Sequence, residues 1–527
     1  MAALEGRVSS PTQGSSTANK QLALMAMICA VSMTFIDQTI VSIAVPDLQT
    51  DLKLSESGVQ WVVNGYLVAL AALFALGGRV ADIAGHRRVV LIGIAIFAVA
   101  SAMCGATPDG SLAEAWMITW RVIQGAGAAL MFPAALGIVV AAYPREERGK
   151  AMATFFGIAG AMTALGPLAG GYLIEISWRS IFWINVPVAL VAIALTLLSK
   201  PDDTRRPAPV DLKGALLAAG GVGALVLGLQ QASDWGWSSP ATISAIAAGI
   251  VLLVVFVMVE RATAQPLIQV RIFSNRAFAA DNLVLFLMSI AFVPMFLFAS
   301  MYSQISLGFS ASNAGLYLGI FFLGFVAAAQ IGGRIIDARG ARPAVLLGCA
   351  IAAVGFFLWA RSMPDLAAGA DWGQWWRLVV AGAGLGLVLG PISTDALNRA
   401  PRTSYGEITG ITQTARNVGA SLGLAVLGTI LISRNRVNIE NSFSTLGASK
   451  AEADAVASSL SHGGGKPPGE LSGGGAKAKA FVDAVQTSFA ESMGTVFYGM
   501  AAVMIVALLV TLVGVPAGKA PEAPIEA

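Results

Sequence analysis

Histidine is nearly absent from this chain, whose 527 residues hold only His86 and His462. Two such scattered residues exclude an H-E-x-x-H zinc site and a histidine-centred catalytic cluster. Cysteine is almost as scarce. Cys29, Cys104 and Cys349 show no C-x-x-C spacing, so neither a disulfide framework nor a zinc site is supported, and all three read as small packing residues. Charged residues make up 12% of the chain and the net charge is +3, which gives no case for a nucleic-acid partner. No G-x-x-x-x-G-K-S/T segment occurs, so a built-in nucleotide motor is not indicated. These absences point away from an enzyme and leave no metal and no cofactor to be expected.

Apolar residues are what the chain has in abundance, 56% of the total with a mean hydropathy of +0.73, outside the range of soluble domains. A bilayer core of roughly 30 Å needs about 20 mostly apolar residues per helix. Fourteen runs meet that length: 21–46, 59–78, 88–107, 114–142, 149–175, 179–199, 212–231, 241–260, 278–303, 312–336, 342–361, 374–397, 408–433 and 489–514. The first run follows a polar stretch and is too long for a signal-peptide core, so it is expected to be kept. Lys and Arg gather in alternate connections, on the side of the N-terminus, which places both termini in the cytoplasm of a multi-pass protein of the cell (inner or plasma) membrane.

One phrase is written twice, "GGRVADIAGHR" at 77–87 and "GGRIIDARGAR" at 332–342, with six identities: Gly77/Gly332, Gly78/Gly333, Arg79/Arg334, Asp82/Asp337, Gly85/Gly340 and Arg87/Arg342. An even number of spans separates the copies, so both face the same side. "WRVIQGAGAALMFP" at 120–133 and "WRLVVAGAGLGLVLGP" at 376–391 repeat in the same way. The expected fold is therefore all-α, with two six-helix bundles related as a parallel pseudo-repeat. The expected divisions are a cytoplasmic tail 1–20, a bundle 21–199, a linker 200–211, an extra two-helix hairpin 212–260 facing lipid, a linker 261–277, a bundle 278–514 and a cytoplasmic tail 515–527. Within the second bundle, 434–488 is rich in Gly, Ser, Ala and Lys and reads as a long outer linker.

Charges inside a span are costly, so they mark function by default. Asp37 is the deepest acid, in "FIDQTIVSIAVP" of span 1, and Arg121 lies at nearly matching depth in span 4. Burial favours the neutral acid and a nearby guanidinium favours the carboxylate, so a variable distance between these two makes a proton-coupling device. The competing reading is a static ion pair that fixes helix packing. In the repeated loop, Asp82 is expected to accept from Arg145 or Arg148 and to lie at the N-terminal end of span 13, forming a conformational latch with Gly78, Gly85, Arg87, Arg148, Asp337 and Arg342. In span 5, Gly166, Pro167, Gly170 and Gly171 allow close packing, with Gly419 and Gly423 of span 13 as an expected matching face. Arg416 is a further intramembrane charge, with Glu407 and Asp395 as candidate partners. Gln38, Trp61, Asn64, Tyr66, Gln124, Phe132, Phe286, Met288, Phe292 and Arg416 are candidate lining residues of a substrate cavity.

At these residues the chain resembles the major facilitator superfamily, specifically its fourteen-span drug:proton antiporters. The loop pattern G-x-L-a-D-x-x-G-r-k is met by Gly78, Val80, Ala81, Asp82, Gly85, His86 and Arg87, and the span 4 pattern R-x-x-q-G-x-g by Arg121, Gln124, Gly125 and Gly127. The antiporter pattern G-P-x-x-G-G is met by Gly166, Pro167, Gly170 and Gly171. Span 1 matches D-x-T-i-v-x-x-A-x-P with Asp37, Thr39, Ile40, Val41, Ala44 and Pro46, and "WRSIFWINVP" at 178–187 is similar to the subfamily's approach to span 6. The resemblance implies export of hydrophobic, often cationic, small molecules in exchange for protons, powered by the proton gradient, by alternating access of a monomer. The alternatives are a lipid or metabolite exporter of the same fold and, further off, a solute importer. A membrane enzyme or receptor is weaker still.

Overall fold

The computed structural model describes residues 17–201, 209, 211–263, 265–365, 372–399, 405–446, 453, 456 and 476–520. Among these no strand occurs and the long helices number fourteen: α1 (Thr17–Leu52), α2 (Glu56–Ala84), α3 (His86–Gly105), α4 (Ala113–Ala142), α5 (Arg145–Ile176), α6 (Asn185–Ser199), α7 (Leu212–Gln230), α8 (Pro240–Ala262), α9 (Arg276–Ile305), α10 (Ala311–Arg339), α11 (Ala341–Ser362), α12 (Trp372–Asn398), α13 (Tyr405–Thr445) and α14 (Ala476–Gly514). A single helical turn, Ser180–Trp183, leads into α6. Thirteen spans among the described residues are long and apolar enough to cross a bilayer, and α5 is the remaining long helix. Helix is the form that lets an apolar segment satisfy its own backbone away from water.

Local chemistry sets the helix ends. Ser55, Asp211 and Ser310 accept from backbone N–H groups in the first turns of α2, α7 and α10, filling donors the helix cannot use. Gly85 and Gly340 both adopt positive φ, 100° and 85°, where α2 turns into α3 and α10 into α11. A side chain is strained at such a φ, so the two glycines of the repeated phrase mark the same sharp corner twice.

The parallel repeat appears in the packing. In the first half α1 packs on α5 and α6, and α4 on α2 and α3; in the second half α9 packs on α13 and α14, and α12 on α10 and α11. The halves meet where α2 touches α13 and α5 touches α10.

Two expectations about the fold need correction. The hairpin α7–α8 does not simply face lipid. Helix α8 exposes Ile250, Val251, Val254 and Met258, but α7 buries Val222 and Val226 against Ala71 of α2, and Leu229 against Ala425 of α13. Its small residues, Gly221 and Gly228 among them, bring α8 close behind it, so α7 is pressed onto both halves. Segment 434–488 is also less of a linker than expected, because α13 continues to Thr445 and α14 begins at Ala476. Leu431, Asn435, Ile439 and Phe443 form a buried stripe at helical spacing, Phe443 meets Phe481 with ring centroids 5.0 Å apart, and Asn438 donates to Ser492 Oγ at 3.0 Å. That stripe was hidden by the polar residues between its members. The Gly-rich centre, 447–475, lies outside the described residues apart from Ala453 and Val456.

Candidate functional site

Asp37 of α1 is completely buried, and two groups converge on it. Arg121 Nη1 of α4 donates to Asp37 Oδ2 at 2.6 Å, and Gln124 Nε2, one turn along α4, donates to Oδ1 at 2.9 Å. The same Nη1 reaches Gln124 Oε1 at 2.7 Å, and Arg121 Nε donates to the Val62 carbonyl of α2 at 2.9 Å. The ring of Tyr66 lies 4.5 Å from the guanidinium carbon, so one face of the cation rests on aromatic π density. An ion pair in low dielectric holds only when further hydrogen bonds support it, and here both Asp37 oxygens and the Nε and Nη1 of Arg121 are engaged. The expected pairing of Asp37 with Arg121 is present, and Gln124 is a ligand of the pair.

On the other faces of α1, Thr34 and Gln38 line a cavity of about 320 Å³ between the halves. Of the ten residues expected there, Gln38, Asn64, Phe132, Phe292 and Arg416 line it. The other five do not appear in its wall: Gln124 and Tyr66 are committed to the ion pair, Met288 is fully buried in the core, Trp61 is half-buried, and the half-buried Phe286 turns its backbone toward Gly419. The sequence reading missed Phe35, Phe74, Phe296, Ser289, Gln413 and Asn417, and also Gln230 from the extra hairpin. Gln413 and Asn417, one turn apart with Arg416 in an otherwise apolar helix, were the available signal. Asn64 Nδ2 donates to Gln231 Oε1 at 2.9 Å, which ties α2 to the end of α7.

The repeated phrase works as a pair of clasps at one end of the molecule. Asp82, at the end of α2, accepts from the backbone N–H groups of Gly406 at 2.9 Å and Glu407 at 2.7 Å, in the first turn of α13. Asp337, at the end of α10, accepts from Gly149 at 2.9 Å and Lys150 at 3.2 Å, near the start of α5. Each acid thus crosses to the other half, Asp82 at the positive end of the α13 dipole and Asp337 one turn inside α5. The helices come close enough for this because Gly78 and Gly333 lie against the carbonyls of Gly406 and Gly149, where a Cβ would collide. Arg79 adds a looser approach to Glu407 at 4.0 Å.

The arginines of the expected latch are placed differently. Arg148 Nη2 donates to the Tyr405 hydroxyl at 3.1 Å and Nη1 to Asn398 Oδ1 at 3.2 Å, while Arg145 donates to the Asn398 carbonyl at 3.0 Å. They cross between the halves without touching Asp82, whose oxygens the α13 N-terminus already occupies. Arg342 donates to the Leu512 carbonyl of its own half at 2.7 Å, and Arg87 is half-buried at the start of α3.

The glycine faces are also corrected. Gly166 abuts Thr39 of α1, and Gly419 and Gly423 abut Phe286 and Ile290 of α9, so both patterns pack helices within a half and do not meet each other. Gly170 is buried in α5, and the surroundings of Pro167 and Gly171 lie outside the described residues. Neither expected acid reaches Arg416: Glu407 Oε1 accepts from Gln269 N at 2.7 Å, and Asp395 pairs with Arg399 at 2.8 Å. Arg416 Nη1 donates instead to Gln413 Oε1 at 2.9 Å.

Two bundles built alike, clasped at one end around a central cavity with a buried charge pair beside it, define a membrane transporter and not an enzyme. The family model of the Major Facilitator Superfamily matches residues 27–424, and the chain belongs to that family. It is 33% identical over 508 residues to the tetracenomycin C resistance and export protein of Streptomyces glaucescens, covering 95% of this chain and 93% of that protein. It is 32% identical over 413 residues to the multidrug resistance protein Stp of Mycobacterium tuberculosis, covering 78% and 75%. Among solved structures it is similar in fold to the proton:xylose symporter XylE, with a TM-score of 0.64 at 14% identity over 96% of this chain and 98% of that one.

Proposed function

We propose that this protein exports drug-like small molecules from the cell in exchange for protons. The names of its relatives, resistance and export proteins for tetracenomycin C and for multiple drugs, support the direction and the class of cargo. The observation that carries the proton coupling is the Asp37–Arg121–Gln124 cluster, buried one helix face away from the cavity wall at Thr34 and Gln38. Protonation of Asp37 removes its charge and weakens its hold on Arg121, which frees α1 and α4 to shift relative to each other; loss of the proton restores the pair. With both termini in the cytoplasm, the clasped end faces inward and the cavity awaits release or return on the outer side. Opening of the Asp82 and Asp337 clasps then exposes the cavity to the cytoplasm.

The test is dye efflux in inverted vesicles driven by an imposed pH gradient. Asp37→Asn, which keeps an oxygen for Arg121, abolishes gradient-driven transport while the protein remains folded and inserted, and Asp37→Glu recovers part of the rate. Full gradient-driven export by Asp37→Asn removes this acid from the mechanism. A lipid substrate would appear in the same assay as competition by phospholipid analogues.

A further inference from the structure

We propose that the central cavity is an anion site, selecting aromatic or hydrophobic molecules that carry an acidic group, with Arg416 as the residue that receives it. This deepens the export reading and rests on it only for the direction of transport. Among the described residues that line the cavity, Arg416 is the one charged side chain, and no Asp or Glu shares the wall. Arg416 is 7% exposed, has no carboxylate within ion-pair distance among the described residues, and leaves Nε without a hydrogen-bond partner. Its neighbours are neutral, Gln413 at 2.9 Å and the Phe156 ring 5.6 Å from its centre.

Arginine does not escape burial by losing its proton, so a buried guanidinium without a counter-ion is held at a cost that an incoming anion removes. Two acids of the spans are engaged elsewhere, Asp37 by Arg121 and Asp395 by Arg399. Two further polar atoms are also buried and unpartnered in the residues of this wall, Ser289 Oγ and Gln230 Oε1. Five phenylalanines, Phe35, Phe74, Phe132, Phe292 and Phe296, stand in the wall among aliphatic and neutral polar side chains. The complementary ligand is a flat apolar body with a carboxylate or phenolate for Arg416 and a hydroxyl or N–H for the Gln230 oxygen. A cavity of this size holds a drug-sized molecule. A cationic ligand of the same shape meets a like charge and no counter-charge.

The experiment uses the purified full-length protein in nanodiscs and three matched fluorescent probes, 1-pyrenebutyrate, its carboxamide and 1-pyrenebutylamine, with binding read by energy transfer from tryptophan at neutral pH. The acid binds about tenfold tighter than the carboxamide, and the amine binds weakest, as expected for one charge-assisted hydrogen bond. Arg416→Gln removes the preference, so that the acid and the carboxamide bind with affinities within about twofold of each other. If that variant does not yield monodisperse protein, the ranking of the three probes on the unaltered chain decides. An amine that binds as tightly as the acid, an acid preference that survives Arg416→Gln, or no saturable binding of the acid overturns the proposal. No gradient or flux enters this measurement, so its failure is distinct from failure of proton-driven export in vesicles.

Discussion

Arg121 is worth considering as a single side chain, because its fully buried guanidinium divides its hydrogen bonds among three acceptors: the Asp37 carboxylate, the Gln124 amide oxygen and the Val62 carbonyl. Removing one partner of such a pair leaves the other charge stranded, a loss of about 3–5 kcal/mol, while removing both is often nearly neutral. Arg121→Gln is therefore expected to lower the melting temperature of the purified protein sharply, and Asp37→Asn/Arg121→Gln to recover much of the loss. Destabilisation by the double variant equal to the sum of the losses in Asp37→Asn and Arg121→Gln would mean that the two charges are not coupled. The pairing was legible in the sequence because a charge in a long apolar run stands out and the two depths agreed. The isolation of Arg416 was not legible, since candidate acids nearby in sequence are no guide to which acids other arginines have already taken.

At the scale of helices, the twice-written phrase repeats three structural features at fixed offsets. Its second glycine lets a helix of the other half approach, its acid accepts from backbone N–H groups of that helix, and its third glycine turns the corner. The crossing partners were half readable: the N-terminal end of span 13 was expected for Asp82, but the arginines were assigned to the wrong acceptors. Backbone donors do not show in a residue pattern, so a carboxylate next to a basic loop reads as an ion pair. Each clasp makes two hydrogen bonds to a charged acceptor, each worth about 1.5–3 kcal/mol. Asp82→Asn and Asp337→Asn are each expected to shift the population toward the state open at this end by about fivefold or more, with the larger effect at Asp82, which is the more deeply buried. Distance distributions between spin labels at the exposed positions Arg88 and Arg339 report it. Unchanged distributions in the double variant would show that the clasps do not hold the closed state.

On the scale of the whole molecule, the fourteen spans and the duplicated halves were read from hydropathy and repetition, which survive without knowledge of contacts. The place of the extra hairpin was not, because α7 is as apolar as a lipid-facing helix and only its neighbours distinguish the two cases. Helix α7 rests on α2 and α13, which belong to different halves, and gives Gln230 to the cavity. A rocking motion of the halves must slide at least one of these contacts. With the native cysteines replaced by serine, Asn64→Cys and Gln231→Cys joined by a short bifunctional thiol reagent are expected to slow efflux by about tenfold, reversibly on reduction. An undiminished rate would show that α7 travels with α2 as one body.

The doubling of the clasp bears on leakage. When two independent fasteners at the same rim must both be undone, the rarity of each accidental opening multiplies, so a stray proton or a returning molecule needs two coincident failures to slip through. If the clasps hold the closed state as proposed, the second copy of the phrase makes that end a tighter seal, and a chain with one fastener disabled is expected to leak before it ceases to move cargo.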